Sequence, residues 1–176
     1  MDNSLLPVGV RRDGSYYTRI EWVSTTESDP TFWVCNVIDD DIERSGGTWG
    51  ANTMGPADLV LGFFGEEQTI GKIDFFMNVG LPISILEELA KQINIYSSLT
   101  EDPRKLKTKD DDINSVEWTK IGSFFTEKEE SWQSFIPEQP FNARYLRFEL
   151  VENFGTPPEI PWTEVSEIKI YPPDQS

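Results

Sequence analysis

The sequence predicts an all-β protein, a single β-sandwich of the jelly-roll type with about eight or nine short strands. Three observations carry that expectation. Apolar and polar residues alternate with period two in short segments, as in Tyr145–Leu150 and Glu167–Tyr171. Turn formers are spread along the chain, with 12 Pro and 12 Gly among 176 residues. Helix formers gather only near Ile83–Gln92. Successive side chains of a strand point to opposite faces, so alternation marks strands with one buried face. Two sheets must then pack face to face to bury their apolar sides. The length fits one domain, residues 1–176, with one core.

Taken in order, Tyr16–Trp22 is a first strand after an Asp13-Gly14 turn. A polar connection, Ser24–Pro30, leads to the apolar run Phe32–Ile38, then to an acidic and glycine-rich loop, Asp39–Gly47. Asp58–Phe64 and Ile70–Asn78 read as consecutive strands around a Gly65-Glu66-Glu67 turn. Ile83–Leu89 forms a helical turn or two, or leads directly into the strand Gln92–Ser97. Leu99–Ser115 is a charged segment without periodicity, the usual pattern of a solvated loop. Trp118–Phe124 and Trp132–Ile136 are further strands. The C-terminal pair, with Leu146, Phe148 and Leu150 on one inner face and Ile168 and Ile170 on the other, flanks a long loop. That loop carries Asn153, Phe154 and Trp162, and long ordered loops are where functional residues concentrate.

Composition excludes several functions. Acids outnumber bases 31 to 15, a net charge of −16, so nucleic acid is not the expected partner; phosphate neutralisation needs clustered Lys and Arg. The same charge argues against an anionic membrane surface, and no segment is long and apolar enough for membrane insertion. The start, MDNSLLPVGVRRDG, lacks the pattern of a signal peptide. Histidine is absent, which removes Ser-His-Asp and Cys-His catalysis and His-ligated zinc. The lone Cys35, flanked by Val34 and Val37, is expected as a small core residue rather than a reactive thiol. Trp49 and Trp118 are expected in the core. Arg144 and Arg147 are expected to pair with local acids rather than to clamp a ligand.

Three segments in order carry a resemblance. They are Asn36-Val37-Ile38-Asp39-Asp40-Asp41 followed by Thr48-Trp49, then Asn94-Ile95-Tyr96-Ser97-Ser98 followed by Trp118-Thr119-Lys120-Ile121, and finally Ala143-Arg144-Tyr145-Leu146-Arg147 with Ser166-Glu167-Ile168. Together, over roughly residues 24–171, they resemble the discoidin or coagulation factor 5/8 type C family, which overlaps with galactose-binding-like sandwiches and family 32 carbohydrate-binding modules. Asp40 departs from the family pattern, which usually has Gly there, and the gap to Trp49 is longer than typical. The resemblance implies a structural calcium ion held by Asp39, Asp41, Thr48 and Glu167 with backbone carbonyls. Calcium takes six to eight hard oxygens in irregular geometry, so such a set is chemically sensible. The alternative is that Asp39–Asp41 forms only a solvated Asx-type turn. An EF-hand is excluded, because Arg44 and Gly50 fall where that motif needs Gly and Glu.

The resemblance also implies a non-catalytic recognition module, in an extracellular or cell-surface setting, that presents loops at one end to a carbohydrate. Sugar recognition needs an exposed aromatic ring and fixed polar groups. Phe154 and Trp162 are the candidate rings, with Asn153, Arg44 and Asn78 as hydrogen-bonding partners. The two aromatics could equally cap the sandwich by packing. An adaptor that docks another protein by charge is the alternative. A glycoside hydrolase with facing carboxylates is a third, which would require a pair about 5–10 Å apart across a cleft.

Overall fold

The computed structural model describes residues 13–25, 32–42, 47–51, 53, 56–78, 85–101, 106, 111–156 and 162–174. Among them are β1 (Arg19–Val23), β2 (Trp49–Ala51), β3 (Ala57–Gly62), β4 (Gln68–Ile70), β5 (Lys72–Met77) and β6 (Ala90–Ser98). There follow β7 (Thr119–Phe125), β8 (Ser131–Phe135), β9 (Phe141–Ala143), β10 (Tyr145–Asn153), β11 (Thr163–Val165) and β12 (Glu167–Tyr171). One sheet has the order β1-β3-β10-β6-β7; facing it is β12-β5-β8, with the short pairs β11-β2 and β4-β9 completing the sandwich. Every strand pairing is antiparallel.

Alternation places the core. Leu59, Leu61, Ile93, Ile95, Leu146, Phe148 and Leu150 meet Ile73, Phe75, Met77, Ile168 and Ile170, and all are fully buried or nearly so. Phe75 is the centre: its ring lies edge-on to Phe148 at 5.7 Å and stacked on Phe124 at 5.4 Å. Aromatic pairs in these offset and edge arrangements stabilise beyond simple area burial. Trp49 is fully buried, as expected, and its indole donates to the Thr25 carbonyl at 3.2 Å.

The structure corrects several expectations. There are twelve strands among the described residues, because the three-residue strands β2, β4, β9 and β11 are too short to show alternation. The run Tyr16–Trp22 straddles the sandwich edge: Tyr16 N–H donates to Ile170 of β12, whereas Arg19–Val23 pairs with β3. Ile70 and Lys72 belong to different strands, β4 and β5, with the chain bending at Gly71. A Cβ there would lie 2.3 Å from Pro173 Cα, so only glycine admits the returning C-terminal segment.

Cys35 is exposed, not buried. The apolar run there forms a 3-10 turn, Val34–Ile38; Asn36 and Val37 face inward, leaving Cys35 outside. The charged segment after Leu99 is not merely solvated either. Leu106 and Val116, with Ile113 and Trp118 beside them, pack on Trp22, Val60 and Tyr145 to form a second small core on the outer face of the five-stranded sheet. Trp118 therefore belongs to this cover and is only partly buried.

Beside that cover, the outer face of β3, β10, β6 and β7 carries a polar lattice. Arg147 Nε donates to Asp58 Oδ1 at 2.7 Å, and Asn94 and Tyr96 donate to Glu149 Oε2 at 2.7 and 3.0 Å. Ser123 donates to Asn94 Oδ1 at 2.7 Å, and the Arg147 guanidinium lies 4.9 Å from the Tyr96 ring centre. Both Arg147 and Arg144 act as expected: the latter donates to the Gly65 carbonyl and approaches Glu67 at 3.8 Å.

Candidate functional site

Strand register gathers one set of connections at one end of the sandwich. Leu150 lies opposite Ala57, Asn153 opposite Ala90, Gln92 opposite Phe125, Met77 opposite Ser131 and Glu167 opposite Phe76. Cross-ties hold this end together. Phe154 N–H donates to Glu87 O at 3.0 Å, Ser166 Oγ–H to Asn78 O at 2.9 Å, and Leu89 bridges Glu164. Lys128 pairs with Glu87, tying the turn between β7 and β8 to the 3-10 turn Leu86–Glu88.

Here stand most of the residues proposed for ligand recognition. Trp162 is 38% exposed. Its carbonyl accepts from Asn153 Nδ2 at 2.5 Å, while Asn153 Oδ1 accepts from Gly155 N–H at 2.9 Å. Asn153 is thus a buried brace that fixes the loop carrying Trp162, not an outward hydrogen-bonding group. Phe154 is half-buried and packs against the main core. Asn78 is buried, with its carbonyl engaged by Ser166. Arg44 lies outside the described residues. Sequence reasoning missed Ile85 and Leu86, both exposed at this end on the segment that Phe154 ties down. Isolated apolar residues in a non-periodic segment carry no signal that would have found them.

The acidic turn sits beside β12. Asp39 Oδ1 accepts from Asp41 N–H at 2.9 Å, which is the Asx-type turn. Asp40 N–H points to Glu167 Oε2 at 3.3 Å, and Asp40 has φ 64°. That left-handed backbone is where glycine is at ease, which explains the usual Gly at this position. Asp40 is retained at that cost beside Lys169, whose Nζ lies 3.2 Å from Asp40 Oδ1 and 2.5 Å from Asp13 Oδ2. Asn36 Nδ2 donates to the Thr48 carbonyl at 3.1 Å, fixing the far end of the loop. The Thr48 hydroxyl is buried without a hydrogen bond, and Glu167 is 0% exposed. Asp39 and Asp41 are exposed. Although Asp39 is exposed overall, partial desolvation of its carboxyl raises the pKa above its ordinary range; the charges of Asp41 and Asp40 add to this, against the Asp41 backbone N–H. Among the described residues, no three carboxylate or cysteine side chains converge as a metal-binding group.

Asp13 shows the opposite balance. Burial works to raise its pKa, but the hydrogen bonds from Lys169 and Ser15 outweigh it and hold the carboxyl at about 2, below the ordinary 3.8. A depressed folded-state pKa gives stability that is fully present above the unfolded value and lost as pH falls through the folded one. The tie between residue 13 and β12 is therefore expected to hold at pH 5 and above and to loosen between about pH 4 and 2. Amide hydrogen exchange at Tyr16, whose N–H reaches Ile170, checks this; in Asp13→Asn that pH step should vanish.

The class the architecture defines is a galactose-binding-like β-sandwich, the fold of the family 32 carbohydrate-binding modules. Among solved structures, the family 32 module of Clostridium perfringens NanJ, in complex with galactose, is 11% identical with a TM-score of 0.61, the match covering 87% of this chain and 92% of that one. The family 32 module of Streptococcus pneumoniae EndoD is 12% identical with a TM-score of 0.63, over 88% and 95% of the two chains. A third, CBM32-3 from a family 31 glycoside hydrolase of Clostridium perfringens, is 14% identical with a TM-score of 0.64, over 88% and 90%. No family model and no curated protein matches the sequence. The likeness is one of fold.

Proposed function

We propose that the chain is a non-catalytic carbohydrate-recognition module that engages sugar through the loops at the Trp162 end of the sandwich. The observation that carries this reading is an exposed indole on a loop braced from beneath: Trp162 held by the buried Asn153 amide. A rigidly presented ring loses little freedom on binding the apolar face of a pyranose. The fold supports it, since solved modules of this fold include complexes with galactose and with GalNAc-β-1,3-galactose. A glycan array with wild type and Trp162→Ala tests the reading. Loss of glycan binding in the variant, at unchanged melting temperature, is expected; unaltered binding would refute the platform.

Calcium at the acidic turn is part of the same proposal. The fit rests on the orphaned Thr48 hydroxyl, the wholly buried Glu167 carboxylate and the neighbouring acidic turn at Asp39–Asp41. Asp39, Asp41, Thr48 and Glu167 would hold the ion only once the acidic turn closed on β12, since their carboxylates do not converge as the chain stands, with backbone carbonyls completing the shell. Its chemistry would be structural, linking the loop to β12. Calcium at about a hundred times its dissociation constant should add about 2.7 kcal/mol. For a domain of this size that raises the melting temperature by about 5–10 °C over the chelated protein. Identical melting curves with calcium and with chelator would argue against the site.

A basic protein partner is the second reading, favoured by Glu127, Glu129 and Glu130, all exposed at this same end of a chain with net charge −16. Such docking would weaken steeply with salt, whereas sugar stacking would not.

A further inference from the structure

The outer face of the three-stranded sheet carries a second, separate group of aromatic and polar residues. Ile73, Phe75 and Met77 of β5 are in the core, so Lys72, Asp74 and Phe76 point outward. Register sets their neighbours. Phe76 lies between Glu167 and Trp132, Asp74 between Lys169 and Ser134, and Lys72 beside Tyr171. The result is a plane of rows about 7 Å apart along the strands and about 5 Å apart across them.

Its two ends are aromatic. At one, Trp132, 39% exposed, packs on Phe76 with ring centres 5.1 Å apart, and the Lys169 ammonium lies 5.5 Å from the indole. At the other, Lys72 Nζ sits 4.2 Å from the Tyr171 ring centre. Tyr171 and Lys72 there line a cavity of about 410 Å3 with Gly71, Ile136, Pro173 and Asp174. Between the ends is a fixed polar centre. Asp74 Oδ2 accepts from Lys72 at 2.8 Å and Oδ1 from Ser134 at 2.6 Å. Asp74 is itself buried, so its part is to fix Lys72 and Ser134 in place, and the exposed Ser134 oxygen is the acceptor offered to a ligand hydroxyl.

From this arrangement we infer that the β12-β5-β8 face is a second ligand site, one that takes a neutral oligosaccharide lying along β5. The aromatic ends are about 14 Å apart along the strands, four residues, and about 10 Å apart across them, which is longer than one pyranose ring. An indole at one end and a phenol at the other suit the apolar faces of two sugar rings, and the centre supplies acceptors and donors for their hydroxyls. Charge selects a neutral ligand. Lys72 is paired with Asp74, and Lys169 with Asp13 and Asp40, so an acidic sugar would meet carboxylates without a spare cation. The site is distinct from the loop end and does not depend on Trp162.

The test is a titration of the 15N-labelled chain with neutral tri- and tetrasaccharides of galactose, N-acetylgalactosamine and glucose, following the assigned indole N–H of Trp132. Trp132→Ala, Trp132→Phe and Trp162→Ala are titrated in parallel, each checked by thermal melting. At least one oligosaccharide should shift the Trp132 resonance. Its affinity should fall about tenfold or more in Trp132→Ala, recover in part in Trp132→Phe, and persist in Trp162→Ala. The inference is overturned if no oligosaccharide moves that resonance, or if Trp132→Ala binds as wild type does. Galactose and N-acetylgalactosamine, titrated separately against wild type and Trp162→Ala, judge the loop end by itself, so either site can fail alone.

Discussion

Replacing Arg147 with alanine is expected to destabilise the fold by about 3–5 kcal/mol, read as a lower urea midpoint at unchanged slope. Arg147 is 8% exposed on the central strand β10, and its guanidinium is held by Asp58, with Glu149 at 3.9 Å and the Tyr96 ring beneath. Burial raises the Asp58 pKa even though Arg147 opposes it, so desolvation already outweighs the attraction between the two. Such a pair contributes little net stability, yet removing one partner strands the other carboxylate in a dry place. The double variant Arg147→Met with Asp58→Leu should therefore recover much of the loss. A double variant as unstable as Arg147→Ala would show that the pair itself, rather than the stranded charge, holds the sheet together.

Phe148→Ala, one residue along on the opposite face of the same strand, should cost a similar amount, about 3–5 kcal/mol, for a different reason. Phe148 is fully buried and lies edge-on to Phe75 where the two sheets meet. Its removal opens a cavity between sheets that cannot close, because the neighbouring strands β3 and β6 are hydrogen-bonded on both sides. Phe148→Leu should recover most of the stability, while no second-site polar change should. A loss below about 1 kcal/mol in equilibrium unfolding would mean that the sheets can collapse onto the gap.

The fold was legible where strands were long enough to alternate. Leu146, Phe148 and Leu150 lie in the core, and Arg147 and Glu149 face out, as period two requires. What sequence could not show depended on partners distant in the chain. Tyr16 joins β12 because Ile170 offers a carbonyl, and Leu106 is buried because Trp22, Val60 and Tyr145 leave an apolar patch for it. Neither fact is local. Asn153 is a candidate in the sequence as a hydrogen-bonding group, but its role as a brace depends on the Trp162 carbonyl nine residues later. Trp132 was legible in principle: it alternates with the inward Gln133 in a recognised strand, and an outward tryptophan on a sheet face asks for an explanation.

β8 begins directly after the turn at the loop end, and Trp132 is its second residue, in the row of the outer face nearest Trp162's end of the sandwich. The two proposed sugar surfaces thus both reach the same end of the sandwich. A polysaccharide long enough to span both would meet the second surface at high effective concentration once it was held by the first. Avidity can then exceed either single affinity by about 10²–10⁴-fold without a new contact. A polymer, and not its constituent monosaccharide, is the ligand that such an arrangement rewards.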